Sequence, residues 1–222
     1  MEKAENVIRY YVLCNKLKNV IRTGWKDWHV EKERLESVAE HIYGVQMLAI
    51  AINSEYNYNI DILKVIFMLA IHELEEIMIG DLTIFEISKE EKKIIGHQAV
   101  NQILKDLVDK DKIKELILEF DERKTKEALF AHHCDKLECD LQSKLYGEEN
   151  TVDLTKQKDN KSFFDPRVQK LLSEGLTWEE MWIKFGQELY GYDDNFMEIS
   201  NYALNNKISD YSKESFEYRK TI

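Results

Sequence analysis

The 222-residue chain is poor in the residues that interrupt helices, with one proline, Pro166, and eight glycines. Leu, Ile, Lys and Glu are abundant, so this scarcity favours a helical fold. Cysteine is also rare, because only Cys14, Cys134 and Cys139 are present. An odd, sparse set without zinc-ligand spacing predicts reduced thiols and no disulfide framework, as in the cytoplasm.

Long apolar segments are missing as well. The longest uninterrupted apolar run, residues 65–71, is far shorter than the roughly 20 residues that cross a bilayer. Residues 1–6 lack the basic start and apolar stretch of a signal peptide. These features predict a cytoplasmic protein without a membrane partner.

The chain carries 31 basic and 42 acidic residues, giving a net charge of −11. That balance argues against a protein that coats a nucleic acid polymer or an anionic membrane. A small anionic substrate remains compatible, because a bound divalent cation reverses the local field. With 44% hydrophobic and 33% charged residues, the composition is that of an ordinary globular protein.

Capping residues and apolar periodicity predict a series of helices. Ser37 and Glu40 form a capping box that starts one helix, and Asp61 caps another, largely apolar helix that ends before Gly80. We treat residues 22–35 and 147–166 as loops. The predicted helices cover residues 4–22, 37–52, 62–78, 89–108, 112–119, 125–146, 177–190 and 195–204.

Histidine and acidic side chains interrupt the most apolar of these helices. His72 and Glu73 directly follow the run 65–71, and Asp135 lies mid-helix between apolar neighbours. Ionised carboxylates inside a core are costly unless they are paired or bind a metal. With His41, near the start of a capped helix, they would form a mixed nitrogen and oxygen site suited to Mn, Fe, Co, Ni or Zn. The spacing alone does not establish that the four residues converge.

Three segments, in this order, resemble the signature segments of the HD-domain superfamily and more narrowly its 5′-deoxynucleotidase branch. They are Glu36-Ser-Val-Ala-Glu-His41, His72-Glu-Leu-Glu-Glu-Ile-Met-Ile-Gly-Asp81 and Cys134-Asp135-Lys-Leu-Glu138. The resemblance covers residues 5–146. It implies an all-α HD-domain helical bundle over residues 1–146. We expect residues 147–222 to add a polar loop and C-terminal helices packed on the same domain.

The resemblance also implies an activity. Members of this branch remove phosphate from deoxynucleoside 5′-monophosphates with a divalent metal, often as dimers. We therefore expect a metal-dependent phosphomonoester hydrolase with a small-molecule nucleotide substrate. The implied cofactor is one divalent ion, drawn from Mn, Co, Fe, Ni, Zn and Mg, and the implied assembly is a homodimer.

Roles for individual residues follow from the same resemblance. The implied metal ligands are His41, His72, Glu73 and Asp135. Glu76 matches the acidic residue that hydrogen-bonds the attacking water, and Asp81 the one near the phosphate or sugar. The implied substrate-binding residues are Arg22 and Trp25, which grip the phosphate and shape the sugar pocket, and Glu119, a further acidic pocket residue.

One position departs from the family pattern, because the namesake dyad is His-Asp and this chain has His72-Glu73. Glutamate is still an oxygen ligand, but its extra methylene moves the carboxylate by about a bond length in a site sensitive to ~0.2 Å. An alternative function is therefore a catalytically silent HD domain that binds a nucleotide or a protein partner.

Hydrolysis of (p)ppGpp or of a cyclic nucleotide is less favoured. Hydrolases of the first kind resemble His-Asp-x-x-Glu-Asp, whereas Glu76 is followed here by Ile77. Cyclic-nucleotide phosphodiesterases need further histidines for a second metal, and His97, His132 and His133 lack that spacing.

Overall fold

The computed structural model describes residues 2–83 and 86–214, and within them the chain is built from α-helices. The helices are α1 Glu2–Cys14, α2 Thr23–Asp27, α3 Val38–Tyr56, α4 Ile62–Ile71, α5 Glu76–Ile79, α6 Lys89–Leu104, α7 Lys110–Glu122, α8 Lys126–Glu148, α9 Pro166–Ser173, α10 Trp178–Leu189 and α11 Asp194–Asn205. Short 3₁₀ helices cover Asn15–Asn19, Leu154–Lys156 and Ser209–Lys213. The described residues contain no strand, only one isolated bridge between Ile21 and Ser37, so the all-α prediction is confirmed.

The predicted helix starts of α3 and α4 are confirmed. The Ser37 hydroxyl accepts from the Glu40 amide, and the Glu40 carboxylate accepts from the Ser37 amide at 2.9 Å. The Asp61 carboxylate accepts from the amide of Lys64 at 3.1 Å. Each contact satisfies an amide that the helix itself leaves unpaired. These caps fix where the helices that carry site residues begin.

The prediction of one continuous helix over residues 62–78 is wrong. The α-helix ends at Ile71, and residues 72–75 form tight turns before the short α5. The amide of Leu74 donates to the carbonyl of Ile71, and that of Glu76 to Glu73, both at 3.1 Å. The apolar periodicity did not indicate this break in the helix, because residues on both sides of the turns face the core.

Other differences concern short elements. The predicted helix 4–22 changes to a 3₁₀ helix after Cys14, and α2 lies inside the predicted loop 22–35. Helix α9 follows the predicted loop 147–166 and was not expected, although Pro166 at its first turn, after the capping Asp165, is typical of a helix start. Elements of this length contain too few turns for apolar periodicity to identify them.

Helix α8 is the centre of the fold and packs against α3, α4, α7, α10 and α11. One apolar cluster joins α3, α4, α8 and α11, and a second joins α5, α6 and α7 beneath the first 3₁₀ helix. A third cluster, which we call the tryptophan cluster, contains Trp25, Trp28, Tyr146, Val168, Leu171, Trp178 and Met181 among its buried members. Metal-ligand candidates on α3, α8 and the turn after α4 are thereby held by packed elements.

The C-terminal helices pack on the same central helix. Helix α10 lies along α8, and its Trp182 ring is centred 5.1 Å from the ring of Trp25 on α2. Tyr192, between α10 and α11, donates from its hydroxyl to the buried Asp140 carboxylate of α8 at 2.8 Å. None of the described helices combines the length and the apolar character needed to cross a membrane.

Candidate metal centre

The folded chain brings the four predicted metal ligands together. His41 comes from the first turn of α3, His72 and Glu73 from the turns after α4, and Asp135 from the middle of α8. One ligand atom from each lies within 4.8 Å of all the others. Three elements that are distant in sequence thus converge on one buried point.

The imidazole of His72 is held in a defined tautomer. Its Nδ1 lies 2.7 Å from the carbonyl oxygen of Leu69, and a carbonyl can only accept, so Nδ1 carries the proton. In the neutral imidazole the lone pair is then on Nε2, which is buried and has no hydrogen-bond partner among the described residues. A buried acceptor left unpaired is costly, and a metal ion is the partner that this arrangement suits.

His41 is oriented by a carboxylate. It is fully buried, its Nδ1 lies 2.5 Å from Oε2 of Glu138, and its Nε2 lies 3.2 Å from Oδ1 of Asp135. Burial and the Arg22 charge act to lower the pKa of His41, but Glu138 and Asp135 outweigh them and raise it to about 9. A metal ion at Nε2 would take the place of that proton, with Glu138 fixing the ring from behind.

The spacing of the donor atoms fits one ion. Metal–ligand bonds of about 2.0–2.2 Å place two ligands of the same ion no more than ~4.4 Å apart. Nε2 of His72 lies 3.6 Å from Oε1 of Glu73 and 3.8 Å from Oδ1 of Asp135. Two imidazole nitrogens and two carboxylate oxygens make a donor set suited to a divalent transition metal.

Glu73 takes part in the cluster despite its longer side chain. It starts from a turn and not from a helix, and its Oε1 reaches both His72 and Nη1 of Arg22, the latter at 3.6 Å. Burial acts to raise the pKa of Glu73, but His72, when it is protonated, and Arg22 lower it overall against the opposing charge of Asp135. The carboxylate is thus ionised and available as a ligand.

Arg22 and Asp81 lie beside the cluster. Arg22 immediately precedes α2, and its Nη2 donates to Sγ of Cys139 at 3.0 Å. Asp81 accepts from the amide of Thr23 at 2.7 Å, while its carbonyl accepts from the Thr23 hydroxyl at 2.6 Å. Asp81 therefore secures the start of α2 and with it the guanidinium next to Glu73.

Glu76 is the most deeply buried of the predicted catalytic residues, with 1% of its surface exposed. Burial, together with the charges of Glu73 and Asp81, raises its pKa well above the usual value. Nζ of Lys92 on α6 lies 3.4 Å from Oε1 of Glu76.

Trp25 and Glu119 are placed outside the ligand cluster. The Trp25 ring is 2% exposed within the tryptophan cluster, and its indole N–H donates to Oε2 of Glu36 at 2.8 Å. Oε1 of Glu119 accepts from Lys64 at 2.7 Å and from the Thr125 hydroxyl at 2.6 Å. Their predicted contacts with substrate stay predictions from the resemblance.

Three residues that were not among the predicted members of the site contact it. Glu138 holds His41, Lys136 lies 2.8 Å from Oδ2 of Asp135, and Lys92 contacts Glu76. Glu138 lies one helical turn after Asp135, a spacing that could have indicated a shared face. Lys92 lies in a charged stretch that carries no local signal.

Gly44 leaves room for the Glu138 carboxylate. A Cβ at Gly44 would lie 2.6 Å from Oε1 of Glu138, closer than atoms in contact can approach. Gly44 is one turn beyond His41 on α3, so the two helices meet where Glu138 crosses to the imidazole.

Fold and site together define an all-α protein with a buried centre of two histidines and two carboxylates suited to one divalent metal ion. A family model described as "HD domain" matches residues 14–174. The chain belongs to the HD domain family.

Curated relatives carry the name of one enzyme. The chain is 35% identical to 5′-deoxynucleotidase HDDC2 of Dictyostelium discoideum over 169 residues, which cover 72% of this chain and 87% of the relative. It is 29% identical to 5′-deoxynucleotidase hdd1 of Schizosaccharomyces pombe, and the match covers 69% of this chain and 81% of the relative. It is also 29% identical to 5′-deoxynucleotidase HDDC2 of Homo sapiens, and the match covers 77% of this chain and 85% of the relative.

Solved structures share the fold. A protein of Pyrococcus horikoshii OT3 aligns with a TM-score of 0.58 at 21% identity, covering 89% of this chain and 98% of that one. A predicted metal-dependent phosphohydrolase of Magnetospirillum magnetotacticum MS-1 aligns with a TM-score of 0.57 at 22% identity, and the alignment covers 91% of this chain and 98% of that one.

We predict that Gly44→Ala weakens binding of Mn²⁺ about tenfold or more, because the new methyl displaces Glu138 from His41. Isothermal titration of metal-free protein measures the affinity. Ser54→Ala, an exposed change on the same helix, is the matched control and should bind as wild type does. Equal affinity in Gly44→Ala and wild type would show that Glu138 does not support the metal ligand.

Proposed function

We propose that this protein is a metal-dependent 5′-nucleotidase that removes phosphate from nucleoside 5′-monophosphates and favours deoxyribose. The observation that carries the proposal is the bare, buried Nε2 of His72, which faces Glu73 and Asp135. The relatives of Dictyostelium discoideum, Schizosaccharomyces pombe and Homo sapiens named 5′-deoxynucleotidase, at 29% to 35% identity, support the substrate class.

A divalent ion bound by the four ligands would polarise a phosphoryl oxygen and lower the pKa of a bound water. Arg22 supplies a fixed positive charge beside the cluster and binds the phosphate by charge-assisted hydrogen bonds. In its ionised form Glu76 orients the attacking water and accepts its proton, and its raised pKa makes that carboxylate a stronger base. Asp81 holds the start of α2, through Thr23, so that Arg22 stays in position.

The remaining parts of the proposal concern context. We place the protein in the cytoplasm, which agrees with the three free cysteines Cys14, Cys134 and Cys139. We also place the C-terminal helices in the same domain as the metal centre, because α10 and α11 pack on α8, which provides Asp135.

Purified protein should release phosphate from deoxynucleoside 5′-monophosphates faster than from the ribose forms when Mn²⁺ or Co²⁺ is supplied, and should lose this activity in EDTA. Glu76→Gln should lower kcat by roughly 10²–10⁴-fold, because the proton acceptor is lost. A colorimetric phosphate assay over a panel of nucleotides and metals gives both results.

Glu73→Asp serves as the companion variant in that assay. If the natural glutamate is an adapted ligand, shortening it lowers kcat. Folded wild-type protein that releases no phosphate with any metal, together with activity gained in Glu73→Asp, would contradict the proposal and favour a silent binding module.

We also propose that two copies of the chain pair through the outer faces of α1 and α3. No residue of α1 is buried, and Val7, Ile8 and Tyr11 are each at least 60% exposed. On α3, Tyr43 is 66% exposed and Met47 41%. Exposed apolar side chains that recur on one helix mark an association surface.

The double variant Val7→Glu, Tyr11→Glu should run as a monomer in size exclusion with light scattering, whereas wild type should have the mass of a dimer. Charge placed within an apolar contact is costly when it is desolvated. Tyr202→Glu, at a half-exposed position on α11, is the control and should remain dimeric. A monomeric wild type, or a dimeric double variant, would contradict the assignment of this surface.

A further inference from the structure

A single lysine bridges α6 and the segment that follows α5. Nζ of Lys92, in the first turn of α6, donates to the carbonyl of Leu82 at 2.9 Å and lies 3.4 Å from Oε1 of Glu76. The lysine side chain is 29% exposed, whereas the Glu76 side chain is 1% exposed. A buried acidic group thus has a cation on the solvent side.

The two oxygens of Glu76 have different surroundings. Oε1 faces the ammonium of Lys92, while Oε2 is buried without a hydrogen-bond partner in the part of the chain that is described. Holding one oxygen fixes the rotation of the carboxylate about its last bond, so the direction of Oε2 is fixed as well. Oε2 is therefore the oxygen left free to accept from another molecule.

The position of Lys92 is fixed by the packing of α6. One turn beyond it, Gly96 brings the helix backbone close to Glu75, whose Cγ would lie 3.3 Å from a Cβ at that glycine. Further along, Val100 and Ile103 are buried in the same apolar cluster as Leu74. Helix α6 is thereby packed against the turns that present His72 and Glu73.

Lys92 also balances charge. Desolvation acts to lower its pKa, but the carboxylates of Glu73, Glu76, Asp81 and Glu75 raise it overall, so the ammonium is retained. Arg22 balances Glu73 from another side, at 3.6 Å. Carboxylates this close to one another repel, and cations such as these lower the cost of ionising them.

We propose that Lys92 is a positioning residue for phosphomonoester hydrolysis, holding Oε1 of Glu76 so that Oε2 faces the attacking water. This inference rests on the proposed function. It has a second consequence that does not depend on turnover. A fixed ammonium 3.4 Å from Oε1 of Glu76 repels an incoming divalent cation, so the same lysine that orders Glu76 weakens metal binding.

The test compares Lys92→Met and Lys92→Arg with wild type, and uses Lys93→Met, at an exposed neighbouring position, as the matched control. Lys92→Met should lower kcat about 10–100-fold with KM nearly unchanged, because the residue acts through Glu76 and not on the substrate. Lys92→Arg should recover most of kcat, and Lys93→Met should match wild type. Thermal unfolding checks that every variant is folded, and Lys92→Gln replaces Lys92→Met if the latter does not fold.

Titration of metal-free protein with Mn²⁺ is the second readout. Loss of the ammonium should tighten binding on the order of threefold or more, whereas Lys92→Arg and Lys93→Met should bind as wild type does. A merely structural lysine would lower the unfolding temperature without tightening the metal site.

Different outcomes separate this inference from the proposed function. An unchanged kcat in Lys92→Met, or a raised KM with kcat retained, would overturn the positioning role. Wild-type protein without phosphatase activity would refute the proposed function. The effect of Lys92 on metal binding would then still be tested by the Mn²⁺ titration. Binding to Lys92→Met that is equal to or weaker than wild type would overturn the inference in either case.

Discussion

The contact on which the site depends is the hydrogen bond from Nδ1 of His72 to the carbonyl of Leu69. The Nδ1 proton of His72 is donated to this carbonyl. In the neutral imidazole the lone pair is then on Nε2, which is buried and faces Asp135 and Glu73. Since the helix ends at Ile71, the following residues leave the regular path and Glu73 comes beside His72 at the cluster. The candidate metal centre is thus formed where the end of α4 meets α3 and α8.

The same turns explain how a His-Glu pair can replace His-Asp. A glutamate that starts from a tight turn, with Arg22 3.6 Å from its carboxylate, brings that carboxylate into the cluster with His41, His72 and Asp135 although it is one methylene longer. Each of the two carboxylates has a neighbouring cation. Lys136 lies against Asp135, and Arg22 lies against Glu73. These pairs keep both carboxylates ionised before a metal ion binds.

Part of this structure could be predicted from the sequence, and the limits have physical causes. Capping boxes are local, so the start of α3 at Ser37 followed directly from the sequence. The break after Ile71 could not be predicted, because apolar residues continue through it and periodicity does not report the hydrogen-bond pattern. The four candidate ligands were brought together by resemblance. The spacing of Glu138 after Asp135 indicates a shared helix face, but its contact with His41, like the contacts of Gly44 and Lys92, is made between helices and is not encoded by a local pattern.

The central claim is that His41, His72, Glu73 and Asp135 together bind one divalent ion. Anomalous diffraction from crystals grown with Mn²⁺ tests it most directly, because the ion is located without reference to activity. We predict one strong peak per chain, about 2.0–2.3 Å from Nε2 of both histidines and from an oxygen of both carboxylates. A peak without Glu73 among its ligands, or no peak between these four side chains at saturating Mn²⁺, would contradict the claim.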